Sequence, residues 1–202
     1  MKLKIILLFL LVANLIAQDE YSFRVAYGKA SPNALGDIIS GSFGTHEKDL
    51  NVIALDGGYQ LKESAFELPM DIYLKGGLSS FNESAVNRDN VYEAIVYIKA
   101  YWNFDFWENR VRVGLGEGVS YTSAILYVEE QEAIDKNDNN SYYLNYIDFS
   151  IDFDFGRLVN YKPLHGTYIG WALKHRSGIY GLINNVKNGG SNYNTVYLEK
   201  SF

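Results

Sequence analysis

Three features of the sequence predict an all-β protein, an eight-stranded antiparallel up-and-down β-barrel of the outer-membrane type. Apolar and polar residues alternate with period two in segment after segment, while helical periodicity is hard to find. The connections alternate between long and short, as the outside loops and periplasmic turns of such barrels do. The chain also finishes on an aromatic residue, with Val196, Leu198 and Phe202 on one face of its final strand. That ending looks like the C-terminal signal by which outer-membrane barrels are recognised for insertion.

The alternation places strands at about 21–30, 49–61, 69–81, 90–103, 110–124, 141–156, 166–177 and 192–202. Long connections follow at 31–49, 82–89, 126–140 and 178–191, and short ones at 62–68, 104–109 and 156–165. The third long connection carries Glu129, Glu130, Glu132, Asp135 and Asp138 and reads as a solvated acidic loop. In the fourth strand Tyr92, Ala94, Val96, Ile98, Ala100 and Trp102 share a face, opposite Glu93, Tyr97, Lys99 and Tyr101. In the sixth, Tyr143, Ile147, Phe149, Ile151, Phe153 and Phe155 oppose Asp148, Ser150, Asp152 and Asp154. A soluble lipocalin inverts this arrangement, with apolar side chains inside, and alternation alone does not distinguish the two. The aromatic ending, the loop asymmetry and the N-terminal segment favour the membrane barrel, with its acids inside.

That N-terminal segment reads as a secretory signal peptide: Lys2 and Lys4, an unbroken apolar run from Ile5 to Val12, and a small residue at Ala17. Residues 18–202 then form a single barrel domain. No apolar run approaches the roughly 20 residues a spanning helix needs. Removing residues 1–17 takes away two lysines and no acid, leaving 16 basic against 24 acidic residues, a formal charge of −8. Nucleic acid is therefore a poor partner, since phosphate binding needs clustered Lys and Arg. There is no cysteine, so no disulfide supports the exported chain. His46, His165 and His175 are scattered and the carboxylates are not at metal-ligand spacings, so no cofactor or metal is expected. Gly114–Leu–Gly–Glu–Gly–Val has no helix pattern after it, as a phosphate-binding loop would.

The stretch Gly170–Trp–Ala–Leu–Lys–His–Arg–Ser–Gly178 raises the functional question. Thr167, Ile169, Trp171, Leu173, His175 and Ser177 share one parity, and Lys174 and Arg176 take the other. Lys174 and Arg176 belong in a polar lumen, so His175 and Ser177 fall on the outer wall near the level of the outer leaflet. Asn192 has outward parity at the top of the adjoining last strand. A hydroxyl, an imidazole and an amide can thus meet there. Serine becomes a nucleophile when a base takes its proton, and the base works best when a third group fixes its tautomer. The other reading of the same residues is an ordinary interface pair that bonds headgroups and water.

The segment His175–Arg–Ser–Gly–Ile–Tyr–Gly181, followed by Asn188–Gly–Gly–Ser–Asn192 and a final strand, resembles the PagL-type lipid A 3-O-deacylases, also called acyloxyacyl hydrolases. The resemblance is strongest over about 166–202, and Gly114–Leu–Gly–Glu–Gly–Val–Ser–Tyr121 also looks like a stretch of that family. It implies an outer-membrane hydrolase whose active site lies on the outside wall, acting on lipid A of lipopolysaccharide in the outer leaflet. Ser177 would be nucleophile and His175 general base. Two positions depart from the family pattern. Gly178 stands where the family has Asn after the serine, leaving only a backbone N–H for the oxyanion. Asn192 stands where the family has its glutamate, and would orient His175. Asn145, outward in the sixth strand, is a reserve orienter. Glu199 has inward parity at the wrong end. Glu117 shares the outward face of Val113, Leu115 and Val119 and would reach elsewhere only through a bulge at Gly116 or Gly118, two strands away from His175. Leu173 and Trp171 would lie along acyl chains. The alternative function is a non-catalytic barrel with a structural or adhesive surface role carried by the long loops. A pore is a third option, disfavoured because inward side chains fill an eight-stranded barrel.

Overall fold

The computed structural model describes residues 21–188 and 190–202; the signal peptide expected at residues 1–17 lies outside them. Eight strands close into one barrel, each paired antiparallel with its neighbours in sequence and the last with the first. They are β1 (Tyr21–Ser31), β2 (Asn51–Lys62), β3 (Met70–Asn82), β4 (Val91–Phe106), β5 (Asn109–Thr122), β6 (Tyr143–Asp154), β7 (Thr167–Ser177) and β8 (Gly190–Ser201). Short helices interrupt the connections: α1 (Leu35–Ile39), α2 (Tyr127–Lys136) and α3 (Phe155–Leu158).

The alternation dictates which side chains go inside, and the inward set is polar. Arg24 binds Asp56 and also reaches Asp148 at 2.6 Å, and Lys99 pairs with the same Asp148. Lys75 meets Glu199 at 2.8 Å, Arg112 holds Asp152 through two bonds of 2.9 and 2.8 Å, and Lys174 meets Glu93 at 2.5 Å. Tyrosine hydroxyls complete the network, Tyr97 donating to Asp56 at 2.9 Å and Tyr101 to Glu199 at 2.8 Å. Charges taken out of water are tolerable only when paired and further hydrogen-bonded in this way. The outward positions are apolar and exposed, among them Val25, Leu55, Leu78, Val96, Ile98, Leu115, Ile151 and Val196. Exposed aromatics ring both ends: Tyr21, Tyr59, Trp102, Phe104 and Phe106 toward the short turns, and Tyr27, Tyr92, Tyr121 and Tyr143 toward the long loops. This distribution is that of a lipid-facing wall and the reverse of a soluble barrel.

Two connections differ from the sequence expectation. The turn placed at 104–109 is a two-residue hairpin: Phe106 pairs with Asn109, and only Trp107 and Glu108 turn, with φ of 49° and 62°. Consecutive left-handed residues match the twist of a hairpin but favour Asn and Gly, so Trp–Glu gave no turn signal. The third long connection is not merely a solvated loop. Its α2 buries Glu129 and Ala133, and the Glu129 carboxylate takes two bonds from Arg176, at 2.7 and 2.9 Å, and one from the Ser191 hydroxyl at 2.8 Å. Glu130 pairs with Arg88 at 2.9 Å.

Candidate active site

The phase of β7 follows from its two cations. Lys174 enters the lumen to Glu93 and Arg176 to Glu129, and a one-residue slip would expel both into the apolar band. His175 and Ser177 are thereby forced onto the outer wall. The register sets their neighbours: His175 stands between Ile147 of β6 and Asn192 of β8, and Ser177 between Asn145 and Gly190.

The His175 Nδ1 and Asn192 Oδ1 atoms are 2.7 Å apart. The Asn192 amide cannot rotate freely, because its Nδ2 donates to the Asn33 backbone carbonyl at 3.0 Å. Its Oδ1 therefore faces the ring and can only accept, so Nδ1 carries the proton and the Nε2 lone pair is left to act as a base. No hydrogen bond joins the ring to the Ser177 hydroxyl. The two residues alternate on one strand face, their Cα atoms roughly 6.6 Å apart along the strand.

A groove of about 680 Å³ opens here, lined by His175, Ser177, Asn192, Asn145 and Glu117. Its far wall is not bare barrel. The first long connection folds back over β7 and β8, so that Leu35 and Ile39 of α1 line the groove, Ile38 is buried, and Phe43 meets Trp171 edge-on at 5.3 Å. Asn33 braces this segment by donating from Nδ2 to the Ser42 carbonyl at 2.6 Å. Leu173, expected along acyl chains, is 0% exposed. That expectation is corrected, since a side chain with no exposed surface offers no face to an acyl chain. A second groove of about 440 Å³ lies on the other side of Phe43, against Tyr27, Trp171 and Val196. Sequence reasoning missed this cover, although apolar Ile38, Ile39 and Phe43 in a loop otherwise exposed to water were a usable signal.

The remaining candidates fall into place. Glu199 is fully buried in the lumen on Lys75. The β5 register runs unbroken through Gly116 and Gly118 on both sides, so no bulge re-aims Glu117. It stays outward, in the same cross-strand row as His175 with Ile147 between them, and it shares the groove without touching the ring. Asn145, the reserve orienter, stands opposite Ser177 rather than His175. Gly178 is fixed as glycine by packing: a Cβ there would lie 2.1 Å from the Val186 carbonyl oxygen. The fourth long connection presses on it and is anchored from across the groove, where Asp138 accepts the backbone N–H of Lys187 at 2.9 Å and of Asn188 at 2.6 Å. The Asn139 backbone N–H, together with these two bonds, holds the Asp138 carboxyl below its ordinary range.

Fold and wall define a class: an eight-stranded outer-membrane-type barrel with a groove on its outside surface in which polar side chains stand among apolar ones. Two solved structures give that class particular neighbours. The outer membrane enzyme PagL aligns over 90% of this chain and 99% of its own, with a TM-score of 0.60 and 12% identity. Neisserial surface protein A aligns over 92% and 98%, with a TM-score of 0.50 and 13% identity. At such identities the likeness is one of fold. Neither a protein-family model nor a curated protein sequence matches the chain.

Proposed function

We propose that this protein is an outer-membrane lipid A 3-O-deacylase, hydrolysing the ester-linked 3-hydroxyacyl chain at position 3. The observation that carries the reading is the 2.7 Å bond between His175 Nδ1 and Asn192 Oδ1, on an outward strand face that also presents Ser177. An imidazole with its tautomer fixed and a hydroxyl beside it, inside a groove on an apolar wall, suit an ester carried by a membrane lipid. The neighbour described as an outer membrane enzyme is consistent with this reading.

In the proposed reaction Ser177 Oγ attacks the ester carbonyl while His175 Nε2 takes the hydroxyl proton. The tetrahedral intermediate collapses, and the same proton passes to the departing sugar oxygen. His175 then deprotonates a water that attacks the acyl carbonyl, and as the fatty acid leaves, the same proton returns from His175 to Ser177 Oγ. Asn192 holds the ring and stabilises the imidazolium less than a carboxylate would. The substrate enters sideways from the bilayer, and the groove against Tyr27, Phe43, Trp171 and Val196 gives an acyl chain an apolar seat in place of Leu173.

The test is mass spectrometry of lipid A from cells expressing the wild-type chain or Ser177→Ala. Loss of one hydroxyacyl chain in the first and not the second is expected. Intact lipid A in both, with the barrel present in the outer membrane, would favour the second reading, a non-catalytic surface barrel. What speaks for that reading is the neutral Asn192 and the likeness to a surface protein. Labelling of Ser177 by a serine-reactive phosphonate, dependent on His175, counts against it.

A further inference from the structure

We infer that the side-chain amide of Asn145 is the oxyanion donor for attack at Ser177. The inference rests on the hydrolase reading above and goes beyond it by naming the group that receives the developing charge.

The residue after the serine cannot supply a side-chain donor, because a Cβ at Gly178 would collide with the Val186 backbone. A side-chain donor must therefore come from a neighbouring strand. Asn145 is the direct cross-strand partner of Ser177, on the same outward face, so the two Cβ atoms are roughly 5 Å apart. It lines the groove together with Ser177 and His175. Asn145 is only 4% exposed, yet its Nδ2 has no hydrogen-bond partner. Its other cross-strand neighbour is Val119, which offers no side-chain acceptor. A buried donor left unpaired is costly and uncommon, and it calls for an explanation. A carbonyl oxygen held over Ser177 supplies the missing acceptor.

The electron flow then closes. The Ser177 Oγ–carbon bond forms, the hydroxyl proton goes to His175 Nε2, and the carbonyl π pair moves onto oxygen, where the Asn145 N–H donates to it. When the carbonyl reforms, the bond to the sugar oxygen breaks and His175 protonates that oxygen. A donor that meets charge only as it develops lowers the barrier without tightening ground-state binding.

The experiment uses the full barrel in detergent micelles with hexa-acylated lipid A, and quantifies released 3-hydroxy fatty acid for wild type, Ser177→Ala, Asn145→Ala and Asn145→Asp. Asn145→Ala should lower kcat by about 10²–10³-fold with KM changed only a few-fold. Asn145→Asp, of similar shape but without the donor, should lose at least as much. Because Asn145→Ala removes an unpaired donor, its urea unfolding midpoint should stay at or above that of wild type; a packing role would instead lower the midpoint and leave kcat alone. If wild type is active and Asn145→Ala retains kcat within about threefold, this assignment falls while the hydrolase reading stands. If wild type releases no more acid than Ser177→Ala, both fall.

Discussion

The Asn192 amide does two things at once: Oδ1 accepts from the His175 ring and Nδ2 donates to the Asn33 carbonyl. Truncation removes both, so Asn192→Ala should reduce turnover by about 10²-fold, less than Ser177→Ala, in the same fatty-acid release assay. Asn192→Glu restores a carboxylate to the imidazolium, as the resemblance to the deacylases suggests, and should hold or raise the rate. A large loss would show that the position does not correspond to the family acid. At this scale the sequence was legible where parity decides. Lys174 and Arg176 had to go inward, so His175 and Ser177 had to go out, and Asn192 followed from the parity of the last strand. What parity could not give was contact. The unpaired amide of Asn145 depends on the β6–β7 register and on its burial beneath its neighbours, and neither can be read along one strand.

Two elements in the long connections position the site, and neither carried a period-two signal. The α2 helix is pinned by Glu129, whose carboxylate neutralises Arg176 beside the strand face that presents His175 and Ser177. Removing it leaves that buried guanidinium with the Tyr142 carbonyl, the Thr122 hydroxyl and a longer approach to Glu93 at 3.7 Å. Glu129→Ala should therefore destabilise the barrel by about 3 kcal/mol, read as a lower urea midpoint, and Glu129→Gln should lose less. The acidic run 129–138 suggested solvent because most of its charges do face water; the one that does not is set by a partner 47 residues away. The fold-back of residues 33–44 onto the wall was hidden for the same reason, since it is tied to Asn192 of β8 by a hydrogen bond and to Trp171 of β7 by a ring contact. Strands were readable because their alternation is local, whereas helix docking and loop cover are tertiary.

Over the whole molecule the inversion of inside and outside decides the class. Six inward cations, Arg24, Lys75, Lys99, Arg112, Lys174 and Arg176, each meet a carboxylate among the described residues. Paired charges and tyrosines fill the space an aqueous channel would need. In planar bilayers the barrel should give no sustained single-channel current; a steady ohmic conductance would overturn this account of its interior. The groove, by contrast, opens sideways between β5 and β8, so its supply is counted per unit area of bilayer and not per volume of water. Turnover on such a surface follows the mole fraction of substrate in the lipid phase. Under the proposed deacylase function, diluting lipid A with inert phospholipid at constant bulk concentration would slow turnover, whereas adding more vesicles of unchanged composition to an already saturated sample would not.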